Sequence, residues 1–242
     1  MSASALPYRR VLLKISGEAF CAPGGHGIDV ESVETVVAEL APVLKLGVQI
    51  AMVVGGGNLL RGKTFSQGDY ISRPVADAMG MLATVMNGIA LQDALEHHGI
   101  IARALSAVPV GAVCETFVRA HAVSLLNEGK VVILTGGTGN PFFTTDTCAA
   151  LRASELQADV LFKATKVDGV FDADPVTHPA ARKFERLDYA EVLKRQLGVM
   201  DLAAVSLCME SRIPVIVFRL ATPGNLLRAI QGETVGTIIA AR

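Results

Sequence analysis

The chain reads as one long alternation of short apolar runs and longer amphipathic stretches. Residues 11–15 are apolar except for one lysine, and residues 48–54, 100–105, 131–134, 160–163, 215–218 and 237–239 repeat the theme. Runs of this length, bounded by glycine or polar residues, predict buried strands. Between them the period changes. Residues 31–46 place Val33, Val36, Val37, Leu40 and Leu44 on one helical face, with Pro42 weakening the helix and Gly47 ending it. Residues 77–96, 120–127 and 147–156 also predict helices. Residues 172–184, rich in proline and charge, predict an exposed loop. Strands alternating with helices predict a central, mostly parallel sheet with helices on both faces, a three-layer α/β/α sandwich. No repeat, low-complexity tract or linker interrupts it, so a single domain over residues 1–242 is expected, with residues 1–7 as a flexible tail.

Composition narrows the class. Hydrophobic residues make up 51% of 242, with no tryptophan, as a sheet buried on both faces requires. No apolar run is expected to approach the roughly 18 residues of a membrane span. The first seven residues do not resemble a signal peptide. Cys21, Cys114, Cys148 and Cys208 are scattered and predict free thiols, hence a cytoplasmic protein. His26, His97, His98, His121 and His178 show no metal spacing, and His97 and His98 read as a helix end before Gly99. A net charge of −1 leaves no bulk basic footprint for nucleic acid.

Candidate chemistry gathers at strand ends. Residues 135–146 read TGGTGNPFFTTD between a strand and a helix, with Thr144 or Thr145 as the helix cap. Glycines there let the backbone approach a ligand, and the helix N-terminus attracts phosphate. Three further strands end alike: KISGE at 14–18, GGGN at 55–58 followed by Arg61, and KATKVDGV at 163–170. In a parallel sheet these loops converge on one crevice. Lysines, an arginine, glycine-rich backbone and aspartates together suit a nucleoside triphosphate with magnesium and phosphoryl transfer. Residues 57–64 also match the P-loop pattern, which would make Lys63 and Thr64 the phosphate and magnesium residues. The following Gly68 and Pro74 break the helix that a P-loop needs, so that reading is set aside.

These segments, with DAMGMLATVMN at 77–87, Asp174-Pro175 and VMDLA at 199–203, resemble the bacterial uridylate kinases of the amino acid kinase superfamily, in order from about residue 8 to residue 239. The resemblance implies the amino acid kinase fold and the reaction of ATP and UMP to ADP and UDP with Mg2+. It also implies a cytoplasmic homohexamer with GTP and UTP as effectors. By motif, Lys14, Ile15, Ser16, Gly17, Gly57, Arg61, Lys163, Thr165, Phe171 and Asp174 would bind ATP. Gly56, Asp77, Thr138, Gly139, Asn140, Pro141, Phe142, Phe143, Thr144 and Thr145 would bind UMP, and Lys14, Arg61, Asp146 and Asp201 would be catalytic. Asp77 reads equally as the N-cap of the helix after Pro74.

Some positions depart from the family. Ala76 stands where many relatives have glycine, and the loop at 21–27 varies widely among members. Gln92 and Glu96 stand where some members carry basic residues for GTP, with Arg103 the basic residue nearby. Three other functions fit parts of the pattern: a kinase for a carboxylate or carbamate, an oxyanion-storage protein, and a regulatory nucleic-acid-binding protein. The first would lack the run at 141–145, the second would lose Lys14 or the aspartates, and the third would want a basic surface.

Overall fold

The structure is a computed structural model and describes residues 6–60, 70–175 and 177–241. Strands β1 (Arg10–Ile15), β2 (Gln49–Val54), β3 (Ala102–Ser106), β4 (Glu115–Thr116), β5 (Val131–Thr135), β6 (Val160–Thr165), β9 (Arg186–Leu187), β10 (Val215–Arg219) and β11 (Thr237–Ile239) form one sheet. Its order is β4-β3-β5-β2-β1-β6-β10-β11-β9, and among the described residues only its β10–β11 pair is antiparallel. β7 (Val170–Phe171) and β8 (Lys183–Phe184) make a separate antiparallel ribbon.

Side chains of a strand alternate between faces, and each face has its own core. Val11, Leu13 and Ile15 of β1 pack with α1 (Val30–Leu44), α2 (Arg73–His97) and α7 (Asn225–Ile230). Leu12 faces the other way, with α3 (Arg119–Asn127), α4 (Thr145–Glu155), α5 (Tyr189–Arg195) and α6 (Leu202–Ser211). The three-layer, mostly parallel architecture is the expected one. It turns the C-terminal ends of β1, β2, β5 and β6 toward one edge.

Four local expectations are corrected. α2 starts at Arg73 with Ser72 as its N-cap, so Asp77 lies a full turn inside and caps nothing. Pro74 opens this helix, because its fixed φ and missing N–H suit a first turn. α1 runs through Pro42 to Leu44, which places the proline in the last turn. The exposed loop at 172–184 is bracketed by the β7–β8 ribbon, and β4 and β9 are two-residue strands too short for periodicity to register. Finally, α2 is by length and composition apolar enough to cross a bilayer, with mean hydropathy 1.3 over its best window. Its alanines and methionines raise hydropathy without a long aliphatic run. Here it lies on the sheet, with Val85, Leu91 and Leu95 in the core.

Candidate active site

Lys14 and Lys163 are neighbours in register on β1 and β6, on the face that carries α4. Thr144 caps α4, its hydroxyl oxygen accepting from the N–H groups of Asp146 and Thr147. That cap sets Asp146 in the first turn, over the two lysines. The Lys14 ammonium lies 2.9 Å from Asp146 Oδ1, and Lys163 Nζ lies 2.5 Å from Oδ2 while also donating to the Val199 carbonyl. All three side chains are nearly buried, at 11–15% exposure. Burial works against the Asp146 carboxylate, but the charges and hydrogen bonds of the two lysines outweigh it and hold its pKa below the ordinary range. Lys163 has its pKa lowered: burial and the Lys14 charge disfavour its ammonium more than Asp146 supports it.

Asp201 completes the cluster from the N-terminus of α6. Its Oδ1 accepts from Ala204 N–H at 2.9 Å, and its Oδ2 accepts from the hydroxyls of Thr144 at 2.5 Å and Thr147 at 2.8 Å. Its charge reaches Lys163.

Two cavities flank these groups. One, of about 360 Å³, is lined by Gly56, Gly57, Asp77, Thr138, Asn140, Phe143, Thr144 and Thr145, together with Leu60, Gly80, Met81 and Thr84. The other, of about 510 Å³, is lined by Lys163, Thr165, Phe171 and Asp174 and by the segments at 167–175 and 195–199. The cluster stands between them: Thr145 of the first cavity precedes Asp146, and Lys163 of the second is its ion partner.

The glycine loops are built for close approach. A Cβ on Gly17 would meet Gly57 N at 2.5 Å, so the loops after β1 and β2 could not come together with any larger residue. Asn58 and Asn87 lock the second loop to α2. Each amide donates to the other, at 3.0 and 2.7 Å, and Asn87 also donates to the Gly55 carbonyl while Asn58 donates to Gly27. On the far side, Asp77 accepts from Phe142 N–H at 2.8 Å and pairs with Arg73 at 2.8 Å. Phe142 holds a left-handed φ of 73°, a costly conformation for a phenylalanine, and this contact supports it.

Most residues singled out in the sequence therefore converge, in two groups. Gly57, expected with ATP, lines the same cavity as Gly56. Ser16 caps the 3₁₀ turn Gly17–Phe20. The Ile15 side chain is buried in the core, and its carbonyl accepts from Gly55 N–H. Gly139 packs on Ala107, and Gly139, Pro141 and Phe142 are not among the lining residues. Arg61, Lys63 and Thr64 lie outside the described residues. Sequence reasoning missed Thr84, whose hydroxyl accepts from Gly136 N–H at 2.7 Å, and the 195–199 segment of the second cavity. Their signal was weak: a threonine inside a helix, and a turn between two short helices.

Comparison with known proteins agrees with this geometry. Residues 9–219 match the amino acid kinase family. The chain is 49% identical over 240 residues to a uridylate kinase of Escherichia coli O1:K1 / APEC, covering 99% of both chains. A UMP kinase structure from Bacillus anthracis superposes with a TM-score of 0.93 at 36% identity, covering 97% of this chain and 96% of that one. A UMP kinase from Ureaplasma parvum gives 0.89 at 31% identity, covering 96% and 98%. Fold, converging loops and identity along the whole length lead to one conclusion: the chain belongs to the amino acid kinase family, in its uridylate kinase branch.

Proposed function

We propose that this chain transfers the γ-phosphoryl group of ATP to UMP, giving ADP and UDP, within pyrimidine nucleotide biosynthesis. The observation that carries the reading is the pair of cavities separated by the Lys14–Asp146–Lys163 cluster. The cavity with Asp77, Thr138, Asn140 and Thr145 takes UMP, and the cavity with Thr165, Phe171 and Asp174 takes ATP.

The acceptor is a phosphate oxygen, already anionic at neutral pH, so no strong general base is needed. The difficulty is to bring two polyanions together. Two ammonium groups, held by Asp146 and with Asp201 close by, stand where the phosphoryl group passes. The three side chains are nearly buried and the lysines are held before the substrates arrive, which is how preorganised charge lowers a barrier. The α4 N-terminus reaches the acceptor cavity through Thr144 and Thr145, and the positive end of its dipole favours an anion there. Arg61 would add a bidentate phosphate grip.

Magnesium enters with ATP in this reading. Asp146 is engaged by two lysines and Asp201 by three donors, and among the described residues no cluster of three or more His, Cys, Asp or Glu could hold a metal. That donor set fits an ion held mainly by nucleotide phosphates and water, with one or two carboxylates nearby. When bound, it would screen charge on the phosphates.

The reading includes a homohexamer in the cytoplasm, for which four buried free thiols are in keeping. GTP and UTP are the proposed effectors. Arg103 is held by Glu96 at 2.6 Å, and Gln92 accepts from Ala104 N–H, so a GTP phosphate would have to displace Glu96 to reach this region. The deciding experiment follows ADP release with UMP, CMP, dCMP and AMP as acceptors. UMP should be strongly preferred, because a site matched to the uracil edge leaves polar groups unpaired with cytosine. Comparable turnover of UMP and CMP would overturn the assignment.

A further inference from the structure

We infer that Thr147 is a positioning residue for phosphoryl transfer, acting through Asp201. This rests on the reading above, in which Asp201 serves the reaction. Thr147 lies in the first turn of α4 and is 7% exposed. A threonine inside a helix usually turns its hydroxyl to the carbonyl one turn back. Thr147 instead reaches across to α6 and donates to Asp201 Oδ2 at 2.8 Å.

Asp201 has three donors, and they differ in kind. The Ala204 N–H on Oδ1 is the helix cap of α6 and fixes the carboxylate to its own helix. Thr144 shares Oδ2 at 2.5 Å, but its hydroxyl has a single proton, and Thr144 lines the acceptor cavity. An acceptor phosphate competes for that proton. Thr147 lines neither cavity, so its bond to Oδ2 persists whatever fills them. It is the contact that ties the aspartate of α6 to the helix carrying Asp146 throughout a turnover. Misplacing a charged group by an ångström costs rate rather than ground-state affinity when the group acts mainly on the transition state.

The test compares Thr147→Val, Thr147→Ala and Thr147→Ser with wild-type enzyme, varying ATP and UMP in turn up to saturation. Valine keeps the shape and removes the hydroxyl, while serine keeps the hydroxyl. Loss of one hydrogen bond to a carboxylate should lower kcat by about tenfold to a hundredfold, with KM for both substrates within about twofold, and serine should restore kcat to within a few fold. If valine does not fold, as read by a thermal melt, the alanine–serine pair isolates the same hydroxyl. In an Asp201→Asn background, removing the hydroxyl should cost little more, because the two residues act as a unit. Unchanged kcat in the valine and alanine variants, an effect confined to KM, no rescue by serine, or full additivity with Asp201→Asn would each overturn the inference. Failure of the wild-type enzyme to phosphorylate UMP would instead overturn the proposed function.

Discussion

Lys14 and Lys163 are register partners on adjacent parallel strands and point to the same face of the sheet. Such neighbours are about 4.8 Å apart at the backbone, so two ammonium groups there repel at close range. Asp146 removes most of that repulsion, with Oδ1 on Lys14 and Oδ2 on Lys163. The carboxylate is a structural counterion as well as part of the proposed catalytic cluster.

Asp146→Asn should therefore destabilise the protein. It leaves two buried, like charges facing each other, and breaking a buried ion pair from one side costs on the order of 3 kcal/mol. The Asp146 pKa is lowered on folding, so its stabilising contribution is complete above the unfolded value near 3.9 and is lost as pH falls through the folded one. Lys163 runs the other way: its lowered pKa is a cost at neutral pH that is relieved as pH rises toward about 10.5. Urea midpoints of wild type and Asp146→Asn should differ at pH 7, and the gap should begin to close only as pH falls below about 3.9. A gap that stays constant with pH would remove the counterion explanation.

Lys14→Ala should lose on the order of 10²–10³ in kcat, the scale for one preorganised donor at a developing charge. Lys63→Ala should cost less than about tenfold, chiefly in apparent UMP affinity through a weaker local field. Steady-state kinetics on both variants, with melts to verify folding, decide the point. A dead Lys63→Ala beside an active Lys14→Ala would make the P-loop pattern at 57–64 the true phosphate site.

Much of this was legible in the pattern of the chain. Strand-helix alternation predicts the sandwich, and four strand ends rich in glycine, lysine and aspartate predict a shared crevice. What periodicity could not supply is register. Nothing in the residues near 14 or 163 says that these two lysines stand side by side; that follows from pairing β1 directly with β6. The start of α2 was misjudged because Pro74 reads as a breaker when it is a first-turn residue. Thr84 and Thr147 escaped notice because each looks like an ordinary helical threonine, and only packing between elements shows what its hydroxyl reaches.

The thiols should be inert in the folded protein. All four cysteines are buried, and burial pushes Cys148 up to about 11 and Cys208 up to about 12. Thiolate is the reactive form, so little exists at Cys148 or Cys208 at pH 8, and burial shields all four sulfurs from reagent. A chromogenic disulfide reagent should label none of them quickly in buffer and all four in denaturant. Rapid labelling of Cys148 or Cys208 in the native enzyme would contradict the packing of α4 and α6.

The apolar outer face of α2 should be a subunit interface. Along α2 the apolar side chains include Met79, Leu82, Val85, Met86, Ile89 and Leu95. The structure divides them: Val85 and Leu95 are in the core, while Met79, Leu82, Met86 and Ile89 remain 36–50% exposed, with Val75 at 52%. These five positions are spaced at 75, 79, 82, 86 and 89, the three- and four-residue steps of one helical stripe. Single exposed apolar residues are ordinary, but a contiguous stripe four turns long marks a contact surface. We expect sedimentation at micromolar concentration to give a homohexamer built from dimers. Leu82→Arg should break it into smaller species, because a charge buried opposite its own symmetry mate has no partner. The variant should keep its native circular dichroism, since Leu82 lies outside both cores. A monomeric wild-type protein, or an assembly indifferent to Leu82→Arg, would show that the stripe faces solvent and that the association, if any, uses another surface.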